Sequence, residues 1–465
     1  MLFKHIYDDD LAQGSYFIGC QATGEAIVVD PRRDVQVFLD EAARHGMRIV
    51  AVTETHIHAD YLSGSRELAH ATGAALYLSD EGDADWKYDF EGTPLHDGSR
   101  IEIGNIVLEA VHTPGHTPEH LSFLVTDGAT TDEIALILTG DFVFVGDVGR
   151  PDLLDEAAGG VDTRFHGAKQ LFRSLGERFL SLPDHVQVWP GHGAGSACGK
   201  ALGAVSSTTV GYERRVAWWA PFVERGDEQG FVDALLQGQP DAPLYFGRMK
   251  RHNKAGPALL GPLDELERVG VRDLAPEGET AYLLIDTRPK EAHARSAIPG
   301  AIHVPAGKNF ATYASYVIDP ERDERPIVLL AADAAMAEAL RAKLIGLGLD
   351  RVVGFVDDLA GLPAHPLETV APERLGEQDA FLLDVRTKTE YAAGHIPDAH
   401  QIHAGRVMWR LDELPKDRTI VTHCQSGARS AVVASALRAA GFEDVRELEG
   451  SFEGWQRSQR EQPVA

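Results

Sequence analysis

The stretch Thr55-His56-Ile57-His58-Ala59-Asp60-Tyr61 decides the fold of the first half of the chain, and it follows the short apolar run Ile49–Thr53. A run of this length that is rich in β-branched residues predicts a buried strand. Two imidazoles and a carboxylate directly behind such a strand are typical of a metal-binding loop. The sequence therefore predicts a ligand-bearing loop at the end of a strand.

Similar groups follow other predicted strands. They are His112 and His116 in His112-Thr113-Pro114-Gly115-His116-Thr117, Asp141 after Thr139-Gly140, and His192 in Pro190-Gly191-His192-Gly193. Because strand ends on one edge of a layered sheet converge, we expect these groups to share one site. Helices are predicted between the strands, for example over Val35–His45 and Gly167–Leu180. The first half of the chain is thus predicted to be a layered α/β domain.

The composition is that of an acidic globular protein. The chain has 465 residues, and its 44 Lys and Arg against 71 Asp and Glu leave a net charge of −27. That length predicts two to four domains. That charge repels phosphate backbones and anionic lipid, which argues against nucleic acid or a membrane surface as the main partner.

The start of the chain and its cysteines predict a cytoplasmic protein. The first ten residues are acidic and lack an apolar segment, so no signal peptide is expected. No uncharged apolar stretch of about 18 residues is present, so no membrane span is expected. Cys20, Cys198 and Cys424 are far apart and odd in number, which predicts free thiols in a reducing compartment.

The second half of the chain repeats itself. Ile298-Pro299-Gly300-Ala301 matches Ile396-Pro397-Asp398-Ala399, and Gly348-Leu349-Asp350-Arg351-Val352 matches Gly441-Phe442-Glu443-Asp444-Val445. Matches that keep one register predict two copies of a βα unit. We predict three domains, over residues 1–257, 262–364 and 366–465, with a Gly- and Pro-rich boundary near Gly256–Pro262.

The histidine and aspartate pattern resembles the metallo-β-lactamase fold, an αββα sandwich. Many hydrolases of that fold carry H-x-H-x-D-H, which fills two metal positions. Here Tyr61 stands in place of the last histidine. A neutral phenol is a poor ligand for a divalent ion, so a mononuclear site is expected.

Within that fold the sequence resembles the persulfide dioxygenases, on the T-H-x-H-A-D, P-G-H-T-P and T-G-D elements and on Gly149-Arg150-Pro151-Asp152. The resemblance implies one Fe(II) per chain, held by His56, His116 and Asp141, with open positions for a substrate sulfur and O2. It implies that three further residues orient the ligands or move protons: His58, Asp60 and His192. It also implies that Arg150 binds the carboxylate of a thiol carrier such as glutathione; a surface ion pair is the alternative.

A cysteine loop lies in the last predicted domain, where Ile420–His423 is followed by Cys424-Gln425-Ser426-Gly427-Ala428-Arg429 and a predicted helix, Ser430–Ala440. A helix N-terminus and an arginine both lower the pKa of a thiol, which favours a nucleophilic thiolate. Tyrosine phosphatases have one residue more between cysteine and arginine, and the shorter ring suits the outer sulfur of a persulfide.

Residues 366–465 resemble rhodanese, a sulfurtransferase, through this loop and through Asp384-Val385-Arg386, Glu390-Tyr391 and Gly450–Trp455. The resemblance makes Cys424 the sulfur carrier and Arg429 its cation, with Gln425, Ser426 and Gly427 lining the substrate. Asp384, Arg386 and Glu390 are expected to form an ion-pair network of the fold. In the middle copy Ala331 and Met336 stand in place of Cys424 and Arg429, so that copy is expected to carry no sulfur and to act as a spacer, an oligomer contact or a ligand-binding domain.

Together these resemblances imply a fusion for sulfide detoxification. Its first site would oxidise a persulfide of glutathione, coenzyme A or a similar thiol with O2 to sulfite. Its last domain would transfer sulfur from Cys424 to sulfite, giving thiosulfate. A homo-oligomer is expected from the resemblance alone. The alternatives are a glyoxalase II-like thioester hydrolase with two zinc ions and a persulfide carrier that needs no oxygen.

Overall fold

The computed structural model describes residues 1–153, 155, 163–196, 198–200, 202–239, 241–274, 282–377 and 379–461. The chain divides into two compact units, residues 1–242 with 246–262 and residues 243–245 with 263–465. Within the described ranges, no helix has both the length and the apolar character needed to cross a bilayer. The bounds of the three domains proposed from the sequence stay predictions.

The first unit contains two six-stranded sheets. The strands are β1 Leu2–Asp8, β2 Gln13–Cys20, β3 Glu25–Val29, β4 Arg48–Thr53, β5 Ala75–Ser79, β6 Thr93–Leu95, β7 Arg100–Ile103, β8 Ile106–His112, β9 Leu121–Asp127, β10 Leu136–Gly140, β11 Gln187–Pro190 and β12 Thr208–Thr209. Their order is β1-β2-β3-β4-β5-β6 in one sheet and β12-β11-β10-β9-β8-β7 in the other. The helices are α1 Gln36–His45, α2 Ser65–Thr72, α3 Thr163–Ser174, α4 Val210–Val216, α5 Ala220–Arg225, α6 Glu228–Leu236 and α7 Tyr245–Ala255.

The two sheets pack face to face through alternate residues of their strands. Tyr16 and Ile18 of β2 join a buried cluster with Leu108 of β8 and Phe123 of β9. Phe17, between them, points to the opposite face and packs in another cluster with Phe38 of α1. The period of two along a strand thus places one core between the sheets and another beneath the helices.

The second sheet is covered in the same way on its outer face. Ile137 of β10 and Val188 of β11 pack with Ala168 and Leu171 of α3. Helices therefore cover the outside of both sheets, and the αββα sandwich predicted from the sequence is confirmed.

The second unit contains two five-stranded sheets. The strands are β13 Glu267–Arg268, β14 Leu283–Asp286, β15 Ile302–His303, β16 Ile327–Leu330, β17 Val352–Val356, β18 Thr369–Val370, β19 Phe381–Asp384, β20 His400–Gln401, β21 Ile420–His423 and β22 Val445–Leu448. The helices are α8 Val271–Leu274, α9 Lys290–Arg295, α10 Phe310–Val317, α11 Ala334–Ile345, α12 Lys388–Ala392, α13 Ala404–Val407, α14 Ala428–Ala439 and α15 Ser451–Glu461.

The two sheets have the same topology. Their orders are β13-β17-β16-β14-β15 and β18-β22-β21-β19-β20, and every pair is parallel. In the last sheet Leu383 packs with Val433 of α14 on one face, whereas Leu382 packs with Phe452 of α15 on the other. Helices on both faces make this a doubly wound α/β domain, the fold that the resemblance to rhodanese implies.

Candidate functional site

A buried cluster of possible metal ligands lies where β4, β8 and β10 end. His56 follows β4, His116 lies in the loop after β8, and Asp141 directly follows β10. Asp141 Oδ2 lies 4.0 Å from His56 Nε2 and 3.4 Å from His116 Nε2, and all three side chains are buried. One ligand atom from each residue lies within 4.8 Å of the others. The structure thus brings together the three residues that the resemblance proposes; we call them the metal cluster.

Hydrogen bonds fix the tautomer of His56. Thr55 Oγ1 lies 2.9 Å from Asp30 Oδ2 and 2.9 Å from His56 Nδ1. A carboxylate only accepts hydrogen bonds, so the single hydroxyl proton of Thr55 goes to Asp30. Thr55 therefore accepts the Nδ1–H of His56, and the lone pair of His56 Nε2 faces Asp141.

Two further contacts position the other members of the metal cluster. His116 Nδ1 lies 3.1 Å from the carbonyl oxygen of Arg150, to which it donates, so its Nε2 also offers a lone pair. The backbone N–H of Asp141 donates to His120 Nε2 at 3.1 Å. His120 thereby holds the Asp141 backbone, which is a structural role.

The residues of the metal cluster fit a divalent cation. Both carboxylate oxygens of Asp141 are buried and lack a hydrogen-bond partner among the described residues. Burial lowers the pKa of His56 well below the usual imidazole value and also lowers the pKa of His116, so both rings are neutral at pH 7. Buried carboxylate oxygens without a hydrogen bond are costly, and a cation held by two lone pairs and a carboxylate lowers that cost. Two imidazoles and one carboxylate are the donor set typical of non-haem Fe(II).

His58 belongs to a different group from the metal cluster. Its Nε2 lies 3.1 Å from Asp30 Oδ1 and 3.1 Å from Glu54 Oε2. Burial opposes protonation, yet the two carboxylates raise the pKa of His58 well above its usual value. His58 is therefore an imidazolium between two acids, a support for Asp30 and hence for Thr55 and His56.

Asp60, His192 and Cys198 form a second buried group beside Asp141. His192 Nε2 lies 3.3 Å from Asp60 Oδ2 and 3.5 Å from Asp141 Oδ1. Ligand atoms of Asp60, His192 and Cys198 lie within 4.8 Å of one another. Burial opposes protonation of His192, yet Asp141 and Asp60 raise its pKa, whereas burial raises the pKa of the Cys198 thiol well above its usual value.

Arg150 lies next to the metal cluster but is fully buried. Its Nε and Nη2 donate to the two carboxylate oxygens of Asp152, at 2.9 and 2.6 Å. The expected alternative of a surface ion pair is wrong, because this pair is buried. Binding of a carrier carboxylate by Arg150 stays a prediction, and it would require the pair with Asp152 to open.

The ligand-bearing loop is held by a residue far away in the sequence. Asn253 of α7 donates through Nδ2 to the carbonyl oxygens of His58 and Tyr61, at 2.8 and 2.7 Å. Its Oδ1 accepts the backbone N–H of Ser63 at 2.9 Å. One buried amide thus satisfies three backbone groups of the loop after β4.

The cysteine loop, Cys424–Arg429, connects β21 with α14. The backbone N–H of Gly427 donates to Cys424 Sγ at 3.1 Å, and Ser430 Oγ lies 3.7 Å from the same sulfur. Burial opposes ionisation of the thiol, but the backbone N–H of Ser430, the Arg429 charge and the Gly427 N–H lower the pKa of Cys424. The loop therefore favours a thiolate.

Arg429 forms a bidentate ion pair with Glu390, with both N–O distances at 2.7 Å. The expectation that Glu390 shares a network with Asp384 and Arg386 is thus corrected. Asp384 pairs with Arg386, at 2.7 Å in the closest contact, and its Oδ2 also lies 3.6 Å from His423 Nε2; all three residues are buried. Glu390 is held toward Arg429 because its carboxylate also accepts the backbone N–H of Thr387, in a capping box at the start of α12.

The three predicted substrate-lining residues differ in what they offer. Gln425 donates through Nε2 to Glu453 Oε1 at 3.1 Å, and Ser426 is exposed. Gly427 presents its N–H to the sulfur. Gly427 also has a φ of +106°, which suits glycine.

The corresponding loop of the middle copy differs in chemistry. Ala331 directly follows β16, just as Cys424 follows β21. Asp333 caps α11 and accepts the backbone N–H of Met336 at 2.8 Å. The loop thus presents the methyl group of Ala331 in place of the thiol and the thioether of Met336 in place of the arginine, and it adds the carboxylate of Asp333.

Comparisons with known proteins agree with this architecture. Residues 9–192 match the metallo-beta-lactamase superfamily model, and residues 271–358 and 369–458 each match the rhodanese-like domain model. The mitochondrial persulfide dioxygenase ETHE1 of Bos taurus is 26% identical over 200 residues, which cover 41% of this chain and 68% of that protein. A probable zinc-dependent hydrolase of polyketide biosynthesis, BaeB of Bacillus velezensis, is 25% identical over 201 residues, which cover 43% of this chain and 80% of that protein.

One solved structure covers more than the first unit. It is a metallo-beta-lactamase from Staphylococcus aureus, 38% identical with a TM-score of 0.66, and the match spans 76% of this chain and 98% of that one. Its sequence identity and the share of this chain that it covers are both larger than those of the two relatives named above.

Sequence reasoning missed three supporting residues, Asp30, Glu54 and Asn253. Asp30 directly follows β3, so the rule that selected Asp141 at a strand end could have selected it. Glu54 directly precedes Thr55, the first residue of the ligand-bearing loop. Asn253 gives no signal in the sequence, because an amide in a helix is common and its partners lie about 190 residues away.

Proposed function

Because this chain belongs to the metallo-β-lactamase superfamily and continues into two rhodanese-like domains, we propose that it oxidises a thiol persulfide and transfers sulfane sulfur. The first reaction is R–S–SH + O2 + H2O → R–SH + SO3²⁻ + 2 H⁺. The carrier R–SH is glutathione, coenzyme A or a similar small thiol. The observation that carries the proposal is the pair of unbonded, buried Asp141 oxygens facing the Nε2 lone pairs of His56 and His116.

In this proposal the metal cluster holds one Fe(II) through His56, His116 and Asp141. Iron bound there supplies the one-electron chemistry that ground-state O2 needs to react with a closed-shell sulfur. Thr55 and Asp30 keep His56 in the tautomer that offers Nε2. His192, whose pKa is raised beside Asp60 and Asp141, is the nearby group that can hold a proton and release it.

The second reaction belongs to the cysteine loop. The Cys424 thiolate attacks the outer sulfur of R–S–S⁻, the S–S bond of the donor breaks, R–S⁻ leaves, and Cys424–S–S⁻ is formed. Sulfite then attacks that sulfur, which gives thiosulfate and regenerates the thiolate. The hydrogen bonds from Gly427 and Ser430 to Cys424 Sγ support this role, because they stabilise the leaving thiolate.

The test is oxygen consumption by the full chain after anaerobic loading with Fe(II), started with glutathione persulfide. We expect one O2 consumed for each sulfite or thiosulfate formed, and no consumption by an Asp141→Asn chain loaded in the same way. Sulfur transfer by an iron-loaded chain that takes up no oxygen would instead indicate a persulfide carrier.

A second candidate is a thioester hydrolase with two zinc ions. It is favoured by the group Asp60, His192 and Cys198, which can hold a second cation beside Asp141, and by the similarity to a probable zinc-dependent hydrolase. Two zinc ions per chain, thioester turnover and no oxygen uptake would replace the dioxygenase proposal with this one.

A further inference from the structure

The middle copy of the second unit packs directly beside the cysteine loop. Tyr316 of α10 joins the buried cluster that contains Cys424, and its ring lies edge-on to His403 with centroids 5.4 Å apart. The buried backbone N–H of His303 on β15 donates to Ser435 Oγ on α14 at 2.8 Å. The helix that begins at the cysteine loop is therefore fixed against the copy that lacks a nucleophile.

One cation of the middle copy reaches the cysteine loop itself. Lys290 is the first residue of α9, and its ammonium lies against Gly427, so close that a Cβ atom added to this glycine would collide with it. Gly427 is the residue whose N–H donates to Cys424 Sγ. Lys290 is thus placed over the part of the loop that faces the sulfur, and glycine at position 427 is what makes the approach possible.

The charges at the cysteine loop leave Lys290 able to bind an anion. Arg429 has both terminal nitrogens bonded to Glu390. Lys290 lies 3.3 Å from Glu447 Oε2, and its side chain is 35% exposed. An ammonium has three N–H donors, so one carboxylate contact leaves donors for a ligand arriving from solvent.

We propose that Lys290 of the middle copy completes the Cys424 site by binding the anionic sulfur acceptor, a sulfite-like oxyanion. This inference rests on the proposed sulfur transfer and adds the residue that selects its acceptor. The middle copy then has a role beyond that of a spacer: it supplies a substrate-binding cation to a loop whose own arginine is engaged by Glu390.

The transfer step shows why a second cation is needed. The sulfur lone pair of SO3²⁻ attacks the outer sulfur of Cys424–S–S⁻, the S–S bond breaks, and its electron pair stays on Cys424 Sγ. The products are Cys424–S⁻ and S2O3²⁻, with a total charge of −3 on both sides and no added oxidant. Two anions must approach each other, so a nearby ammonium lowers the repulsion.

The experiment measures single-turnover sulfur transfer from the full chain. Cys424 is loaded with glutathione persulfide without oxygen, excess donor is removed, and sulfite or neutral 2-mercaptoethanol is added over a concentration range. Wild type is compared with Lys290→Gln, Lys290→Arg and Lys343→Gln. Lys343 lies near the far end of α11, a 12-residue helix that begins at the Ala331 loop, so it is about 15 Å along the helix from that edge of the sheet.

For Lys290→Gln we expect the half-saturating sulfite concentration to rise about tenfold, because one charge-assisted contact is lost. The maximal rate should be nearly unchanged. The half-saturating concentration of 2-mercaptoethanol should not change. Lys290→Arg should recover most of the sulfite affinity, and Lys343→Gln should behave as wild type.

Two results would overturn the inference while leaving the proposed function intact. In the first, Lys290→Gln has a wild-type sulfite dependence. In the second, it slows transfer equally to both acceptors, which would indicate a general structural effect. A wild-type chain that passes no sulfur to either acceptor, or a Cys424→Ser chain that passes as much, would instead remove the proposed function.

Discussion

At the metal cluster acceptor atoms converge, whereas at the cysteine loop donors converge. Asp141 presents two unbonded oxygens to the Nε2 lone pairs of two histidines. Cys424 Sγ receives the N–H of Gly427 and faces the hydroxyl of Ser430. Both places are buried, so an uncompensated charge is costly in each. The first is built to receive a cation and the second to stabilise an anion, and this difference separates the two chemistries.

Replacement of the Cys424 thiolate is the prediction with the largest expected effect, and it tests the cysteine loop. Cys424→Ser should reduce thiosulfate formation from glutathione persulfide to background, because a hydroxyl has no accessible anion at neutral pH. The iron-loaded chain should still consume oxygen and release sulfite. Cys20→Ala, which removes another buried thiol, is the control and should leave thiosulfate formation unchanged. Unchanged thiosulfate in Cys424→Ser would break the comparison.

Removal of one acceptor tests the metal cluster. His116→Ala should lower the affinity for Fe(II) at least about 100-fold, since even residues that only orient a ligand contribute tens of fold. Iron per chain after anaerobic loading and desalting measures this. The control is His112→Ala, which removes an imidazole at the start of the same loop. Among the described residues, the Nε2 atom of His112 makes a hydrogen bond with the carbonyl oxygen of Pro118, at 2.8 Å, and with no ligand of the metal cluster. This variant should keep its iron; equal loss in both variants would contradict the assignment.

A smaller effect is expected for Thr55, which does not bind the metal but keeps His56 in the tautomer whose Nε2 carries the lone pair. Thr55→Val keeps the side-chain shape but removes the group that accepts the His56 Nδ1–H and donates to Asp30. We expect the Fe(II) affinity to fall about tenfold, measured by competition with a chelator without oxygen. Thr55→Ser keeps the hydroxyl and should retain the affinity. Wild-type affinity in Thr55→Val would show that the tautomer is set by something else.

The smallest effect concerns stability at the cysteine loop. The pKa of Glu390 is about 2, because hydrogen bonds from Arg429 and Thr387 outweigh its burial. A depressed carboxyl pKa adds stability above the pKa of the unfolded chain, about 4.3, and this is lost as the pH falls toward 2. Glu390→Gln should thus lower the free energy of unfolding by about 1–2 kcal/mol at pH 7 and by less at pH 3.

Denaturant unfolding of the two chains at several pH values measures that difference. Glu377→Gln, which removes one partner of an exposed pair with Arg374, is the control and should change stability by less than about 0.5 kcal/mol. A Glu390→Gln deficit that does not shrink on acidification would show that the carboxylate charge is not its cause.

The sequence predicted those parts of the molecule that depend on local pattern. The apolar run Ile49–Thr53 lies within β4, and Ile420–His423, which leads into the cysteine loop, is β21. The strand ends indicated a group of candidate ligands that includes His56, His116 and Asp141, and the resemblance to persulfide dioxygenases selected these three from the group. Cys424 and Ala331 could be matched because both directly follow equivalent strands, β21 and β16.

Contacts between distant segments could not be predicted. Glu390 contacts Arg429 across 39 residues, where the sequence suggested the nearer Arg386. Arg150 is buried because Asp152, two residues on, neutralises it, and no pattern in Gly149–Asp152 distinguishes a buried pair from an exposed one. Lys290 reaches Gly427 only because two repeats pack together, which composition does not encode.

The three hydrogen bonds of Asn253 have a practical consequence for dissecting the protein. Leu260 and Gly261 also donate their backbone N–H groups to Glu67 of α2. A shortened chain that stops after the last sheet strand, or even after α6, would lose the amide that anchors the ligand-bearing loop. An independently expressed first unit therefore has to extend to residue 261 or beyond if its metal content is to represent that of the whole chain.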